Sequence, residues 1–131
     1  MNASERTANT ARRRLIEPRQ KAILAARTAS DGKAENVVIL DVHETSSVTD
    51  FYVIFTGLST THLRALAKKL EEKMREADAK PSGVDGAKAA SWVVYDYGSV
   101  VIHGMLEDTR THYDLERLWG DAPRIQWADP A

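Results

Sequence analysis

Cysteine is absent from this 131-residue chain, which removes disulfides, cysteine nucleophiles and thiolate metal sites at once. Long apolar runs are absent too. The longest span a few residues, against the ~20 that a membrane helix needs, so no membrane segment is expected. Arg12, Arg13 and Arg14 have no apolar run behind them, which argues against a secretory signal. The first segment is Arg-, Ser- and Thr-containing and poor in acid, so composition does not separate it from an organellar transit peptide. Cytoplasmic is the simplest expectation. Net charge is also nearly absent, at −1, and by itself points to no nucleic acid. Its distribution is uneven: residues 1–30 hold seven Arg/Lys against two Glu, and the remaining 101 residues hold eleven basic against seventeen acidic. A basic arm on an acidic body can lend phosphate affinity; a solvated tail is the plainer reading.

Catalytic signatures are missing as well. No Walker loop, GxGxxG or HExxH occurs, and His43, His62, His103 and His112 lack i,i+4 spacing, so a metal site would need chance convergence. No Asp-x-Asp or Glu-x-Asp pair of the kind that holds metal ions for nucleotidyl transfer lies on an expected strand. Two weak signals remain. Thr56-Gly57-Leu58-Ser59 sits at a strand-to-helix junction where free amides attract anions, but one glycine is weak evidence and an ordinary turn and cap is the favoured reading. His103 shares a strand face with Trp92 and Asp96, as a catalytic couple or as hydrogen-bonding groups at a half-buried interface.

What is present is patterning. At 14.6 kDa one domain with its own core is expected. Residues 1–17 lack periodicity. A helix opens at Pro18, where the missing N–H would be unpaired anyway, carries Ala22, Ile23, Ala26 and Ala29, and stops near Ser30-Asp31-Gly32. Residues 36–42 and 50–56 carry consecutive apolar residues, as strands buried on both faces do; the first should be central. Ser59 or Thr60 caps a helix whose stripe is Leu63, Leu66, Ala67, Leu70, Met74 and Ala77. A short edge strand fits around Val84. Residues 91–105 read as a hairpin turning at Gly98. Alternation puts Trp92, Val94 and Asp96 with Val101, His103 and Met105 on one face, and Val93, Tyr95, Val100 and Ile102 on the other. Both faces are largely apolar, so each needs a cover: this chain's own helices for one, and more of the chain, a second copy or a different protein for the other. A final short helix fits Tyr113, Leu115, Leu118 and Trp119. The tail from Arg124 shows no clear structure. The expected class is α/β in the α+β sense, a mixed sheet of about five strands flanked by helices. Trp92, Tyr95, Tyr97, Tyr113, Trp119 and Trp127 concentrate the large aromatics in the last third, a composition that suits a binding face as well as a core.

Five segments together resemble one family. They are Val38–Leu40-Asp41-Val42; Thr49-Asp50-Phe51-Tyr52-Val53-Ile54; Thr56-Gly57-x-Ser59-x-x-His62; Ser91-Trp92-Val93-Val94-x-Asp96-Tyr97-Gly98-x-Val100-Val101-x-His103; and Arg110-x-x-Tyr113-x-Leu115-Glu116-x-Leu118-Trp119-Gly120-Asp121. In order and spacing they are similar to the ribosomal silencing factor (RsfS, Iojap-related) family over residues 18–122. That leaves 1–17 as a basic arm and 123–131 as a tail. The resemblance implies a nucleotidyltransferase-like fold without catalytic residues or cofactor, and a homodimer. It implies a factor that binds the large ribosomal subunit through ribosomal protein L-fourteen, blocks subunit joining, represses translation when nutrients are scarce and accompanies large-subunit assembly. The partner-binding residues it implies are Trp92, Val93, Val94 and Asp96, with His103, Arg110 and Tyr113. One departure is Val84-Asp85-Gly86, where the family usually has Glu-Gly; a carboxylate is kept. Contact between the basic arm and ribosomal RNA is an added expectation. The alternative reading is a nucleotide-binding or nucleotidyl-transfer enzyme on the same fold.

Overall fold

The computed structural model describes residues 17–85 and 91–128; the basic arm ahead of Glu17 lies outside them. Pro18 opens helix α1 (Pro18–Asp31) at its first turn, where proline costs no hydrogen bond. Ala22, Ala25, Ala26 and Ala29 are fully buried, and these small side chains let the helix backbone approach its neighbours closely. Strands β1 (Glu35–Asp41) and β2 (Phe51–Gly57) then form an antiparallel pair. Ser59 accepts a hydrogen bond from the amide of His62 at 3.0 Å and starts helix α2 (Thr60–Glu76), as a short polar side chain at that position should. Leu63, Leu66, Ala67, Leu70 and Met74 make its buried stripe. Ala77, expected on that stripe, instead caps the helix end.

Strands β3 (Gly83–Asp85), β4 (Trp92–Asp96) and β5 (Val100–Leu106) complete a five-stranded mixed sheet in the order β1-β2-β5-β4-β3. Only β2 and β5 run parallel; the other neighbours are antiparallel. The β4–β5 hairpin pairs Asp96 with Val101, and the Tyr97 amide donates to the Val100 carbonyl. Gly98-Ser99 is therefore the two-residue loop, with Gly98 at φ +80°, a conformation a residue without Cβ adopts at no steric cost.

Helices α1 and α2 cover one face, over Ile39, Phe51, Val53, Phe55, Val93, Tyr95, Val100 and Ile102. The other face carries Leu40, Val42, Ile54 and Met105, with Val38, Tyr52 and Trp92 half-buried beside them. Its cover is short. Helix α3 (Glu107–Tyr113) and helix α4 (Leu115–Leu118) are separated by Asp114 in the left-handed region at φ 45°. The single helix expected here is broken because that kink turns Leu115 and Trp119 onto the sheet while leaving Tyr113 and Leu118 outside.

The expectation that residues 36–42 form a central strand is corrected: β1 is an edge strand. Its apolar run survives because three neighbours shield it. Helix α1 lies on one face, Trp119 and Ala122 lie on the other, and the tail runs along the free edge. The Asp41 amide donates to the Pro123 carbonyl at 2.8 Å and the Ile125 amide to the Ile39 carbonyl at 3.0 Å. Trp127 then donates its indole N–H to the Val37 carbonyl at 3.0 Å, and the Arg27 side chain bonds the Trp127 carbonyl. The tail from Arg124, unstructured by sequence, is a docked strap as far as residue 128.

Candidate functional site

The α3–α4 side of the sheet concentrates side chains of chemical interest. Trp92 and His103 lie on adjacent antiparallel strands and share a face, diagonal to each other with an offset of two residues. The Trp92 indole N–H donates to His103 Nδ1 at 2.9 Å. Because an indole nitrogen can only donate, Nδ1 must be the accepting nitrogen, and neutral His103 carries its proton on Nε2. The imidazole is 9% exposed, with ring centroids 5.4 Å from Tyr52 and 5.8 Å from Trp92. Burial lowers its pKa to about 4, since the charged form would lose its hydration. A couple that ionises near neutrality is therefore not what this arrangement provides.

Tyr113 also packs against Trp92, tilted by 50° with 4.6 Å between centroids, and remains 53% exposed. Trp119 packs against Tyr52 at 5.6 Å. The result is an aromatic row, Trp119-Tyr52-His103-Trp92-Tyr113, that crosses the sheet from its covered to its open side. Beyond Trp92 on β4, Val94 and Asp96 are half-buried. Asp96 accepts the Gly98 amide at 2.8 Å and so holds the turn.

The other residues named from sequence sit apart from that surface. Val93 is buried on the α1/α2 face. Arg110 is directed inward: its Nε donates to Glu116 at 2.8 Å, and its Nη1 to the Asn36 carbonyl at 2.7 Å and to Thr56 Oγ1 at 3.0 Å. Glu116 is also met by Arg124 at 3.4 Å. This charged lock lines a cleft of about 530 Å³ between β1 and α3–α4. Sequence reasoning did not give Tyr52 or Glu116 a place here, and it named Thr56 only for an anion site and Trp119 only among the aromatics. Tyr52 and Thr56 lie two residues to either side of Ile54 on β2, a spacing that could have placed them on this face.

The strand-to-helix junction is internally engaged. Thr56 takes the Arg110 bond, Ser59 takes the His62 amide, and the Leu58 amide donates to His62 Nδ1 at 2.9 Å. His62 Nε2 in turn donates to the Gly32 carbonyl at 2.7 Å, tying the end of α1 to the start of α2. The Thr56 and Ser59 hydroxyls and the Leu58 and His62 amides are thus engaged within the fold. Among the described residues, no three His, Asp or Glu side chains converge as a metal site would require, and no helix is long and apolar enough to cross a membrane.

Residues 16–131 match the profile of a family described as "Ribosomal silencing factor during starvation". The chain belongs to the ribosomal silencing factor family. The ribosomal silencing factor RsfS of Halalkalibacterium halodurans is 38% identical over 103 residues, covering 79% of this chain and 88% of the relative. The mouse protein named "Mitochondrial assembly of ribosomal large subunit protein 1" is 35% identical over 89 residues, 66% of this chain and 39% of its own length. A crystal structure of a Chromobacterium violaceum protein superposes with a TM-score of 0.78 at 32% identity, covering 88% of this chain and 96% of that one. Membership in the silencing factor family thus extends over the sheet, the helices and the aromatic row together.

Proposed function

We propose that this protein binds the large ribosomal subunit through ribosomal protein L-fourteen, prevents the small subunit from joining, and so represses translation when nutrients are limited. The observation that carries this reading is family membership over residues 16–131. The name of one relative, "Mitochondrial assembly of ribosomal large subunit protein 1", supports a further role in large-subunit assembly. The protein acts by occupying a surface rather than by catalysis, as a homodimer in the cytoplasm, without a cofactor. Trp92, Val94, Asp96 and Tyr113 form the contact, a half-exposed aromatic and aliphatic patch of the kind that anchors protein interfaces. Val93, His103 and Arg110 serve it from behind, through the strand core, the indole hydrogen bond and the lock on α3. The basic residues before Pro18 add an electrostatic contact to ribosomal RNA.

Purified protein added to separated subunits lowers the joined fraction in a sucrose gradient and sediments with the large subunit. Unchanged joining at saturating protein refutes the reading.

A further inference from the structure

We propose that His103 is a positioning residue for the docking face: by taking the Trp92 indole N–H inward, it fixes the ring in one orientation and presents it to the partner as an apolar surface. The proposal rests on the reading that this face docks on the large subunit.

The contacts around the indole carry it. The 2.9 Å bond from the Trp92 indole to His103 Nδ1 uses the one polar atom of that side chain. Tyr113 closes on the indole at 4.6 Å and His103 at 5.8 Å, so the ring is held by hydrogen bond and by packing before any partner arrives. His103 is itself packed in, on a buried strand with Tyr52 against it at 5.4 Å. Trp92 nevertheless remains half-exposed. An indole free to choose among rotamers would have to be ordered on binding, a cost that prior fixing removes. No polar atom of the Trp92 side chain is left for a hydrogen bond across the interface, so that side chain contributes shape and apolar area.

The test compares two substitutions in the full chain. His103→Leu removes the acceptor and fits the apolar side chains of Ile54, its partner across the strands, and Met105. His103→Asn keeps an acceptor near the position of Nδ1. Two quantities are read: solvent exchange of the Trp92 indole proton by NMR, assigned through Trp92→Phe, and affinity for isolated large subunits by sedimentation. In the wild type the indole proton is protected. In His103→Leu protection is lost and Kd rises by about tenfold, the scale of ordering one large side chain; in His103→Asn both recover. A general loss of structure would not be rescued by so polar a residue, so recovery separates positioning from stability. Binding by a folded His103→Leu as tight as wild type overturns the proposal, as does a wild-type indole proton that exchanges freely. If the wild type does not sediment with large subunits, the docking reading itself fails and takes the proposal with it. The exchange measurement then still states whether His103 holds the indole.

Discussion

Burial keeps His103 neutral, with a pKa of about 4 against 6.5 when unperturbed, and that difference is a stability term. A base whose folded pKa lies below its unfolded one binds more protons when unfolded, so folding weakens as pH falls through the interval between the two values and is unaffected above it. The full effect is about 3 kcal/mol, lost between roughly pH 6.5 and pH 4. Urea midpoints measured from pH 7 to pH 4 should decline for the wild type and decline less, by that amount, for His103→Leu. Equal slopes in the two proteins would show that burial of His103 does not set this term. On the same face, Trp92→Ala should leave the circular dichroism spectrum intact and weaken large-subunit binding by at least ~2 kcal/mol, the scale of an anchor residue. Gly104 is constrained from the other face. A Cβ there would lie 2.7 Å from Phe55 Cζ, and Phe55 is almost fully buried, so Gly104→Ala should lower stability by about 1–3 kcal/mol in the same assay.

At the scale of elements, the sheet face opposite α1 and α2 is finished by weak pieces. Helix α3 has seven residues and α4 four, and neither contains a buried residue. Elements that short are not stable alone. The Arg110 lock to Glu116, Asn36 and Thr56 therefore decides where α3, and with it Tyr113, sits. Arg110→Ala should raise hydrogen exchange across residues 107–118 while leaving α2 protected; unchanged exchange in α3 would mean that packing alone holds it. The tail acts at the same β1 edge, where Arg124 meets Glu116 of the lock. Two backbone bonds to β1, the Trp127 indole bond and partly buried Ile125 and Trp127 make it a part of the core. Truncation after Ala122 should lower stability by about 3 kcal/mol, the value of burying parts of two large apolar side chains, with a matching fall in the thermal midpoint.

At the scale of the whole molecule, the sheet divides labour between its faces. One is sealed by two helices and supplies most of the core; the other is sealed over β1 and β2 by Leu115 and Trp119 but left partly open over β4. An open apolar margin on a sealed core is how a small domain keeps a docking surface without losing its fold. Charge is divided too, since the basic excess lies in residues 1–30 and the acidic excess in the remainder. Removing residues 1–14 should reduce the salt dependence of large-subunit binding while leaving the Trp92 contribution in place, as read from sedimentation at two ionic strengths.

The sequence by itself determined the two long helices, the strands and their faces. Pro18, Ser59, Gly98 and the 3.6- and 2-residue apolar periods act within a few residues of chain, so the starts of both long helices, the hairpin and its split into a Trp92 side and a Tyr95 side could all be read locally. The family was legible in the same residues, because its motifs sit where the chain turns and pairs. Only the tertiary structure decided which strand lies at the edge, because a strand shielded by a helix, Trp119 and the tail carries the same apolar run as a central one. It alone decided that Arg110 points inward to partners 54 and 74 residues away, and that His103 takes the Trp92 indole. Those are meetings between distant segments, and no local pattern of charge or hydrophobicity records which distant group a side chain will face.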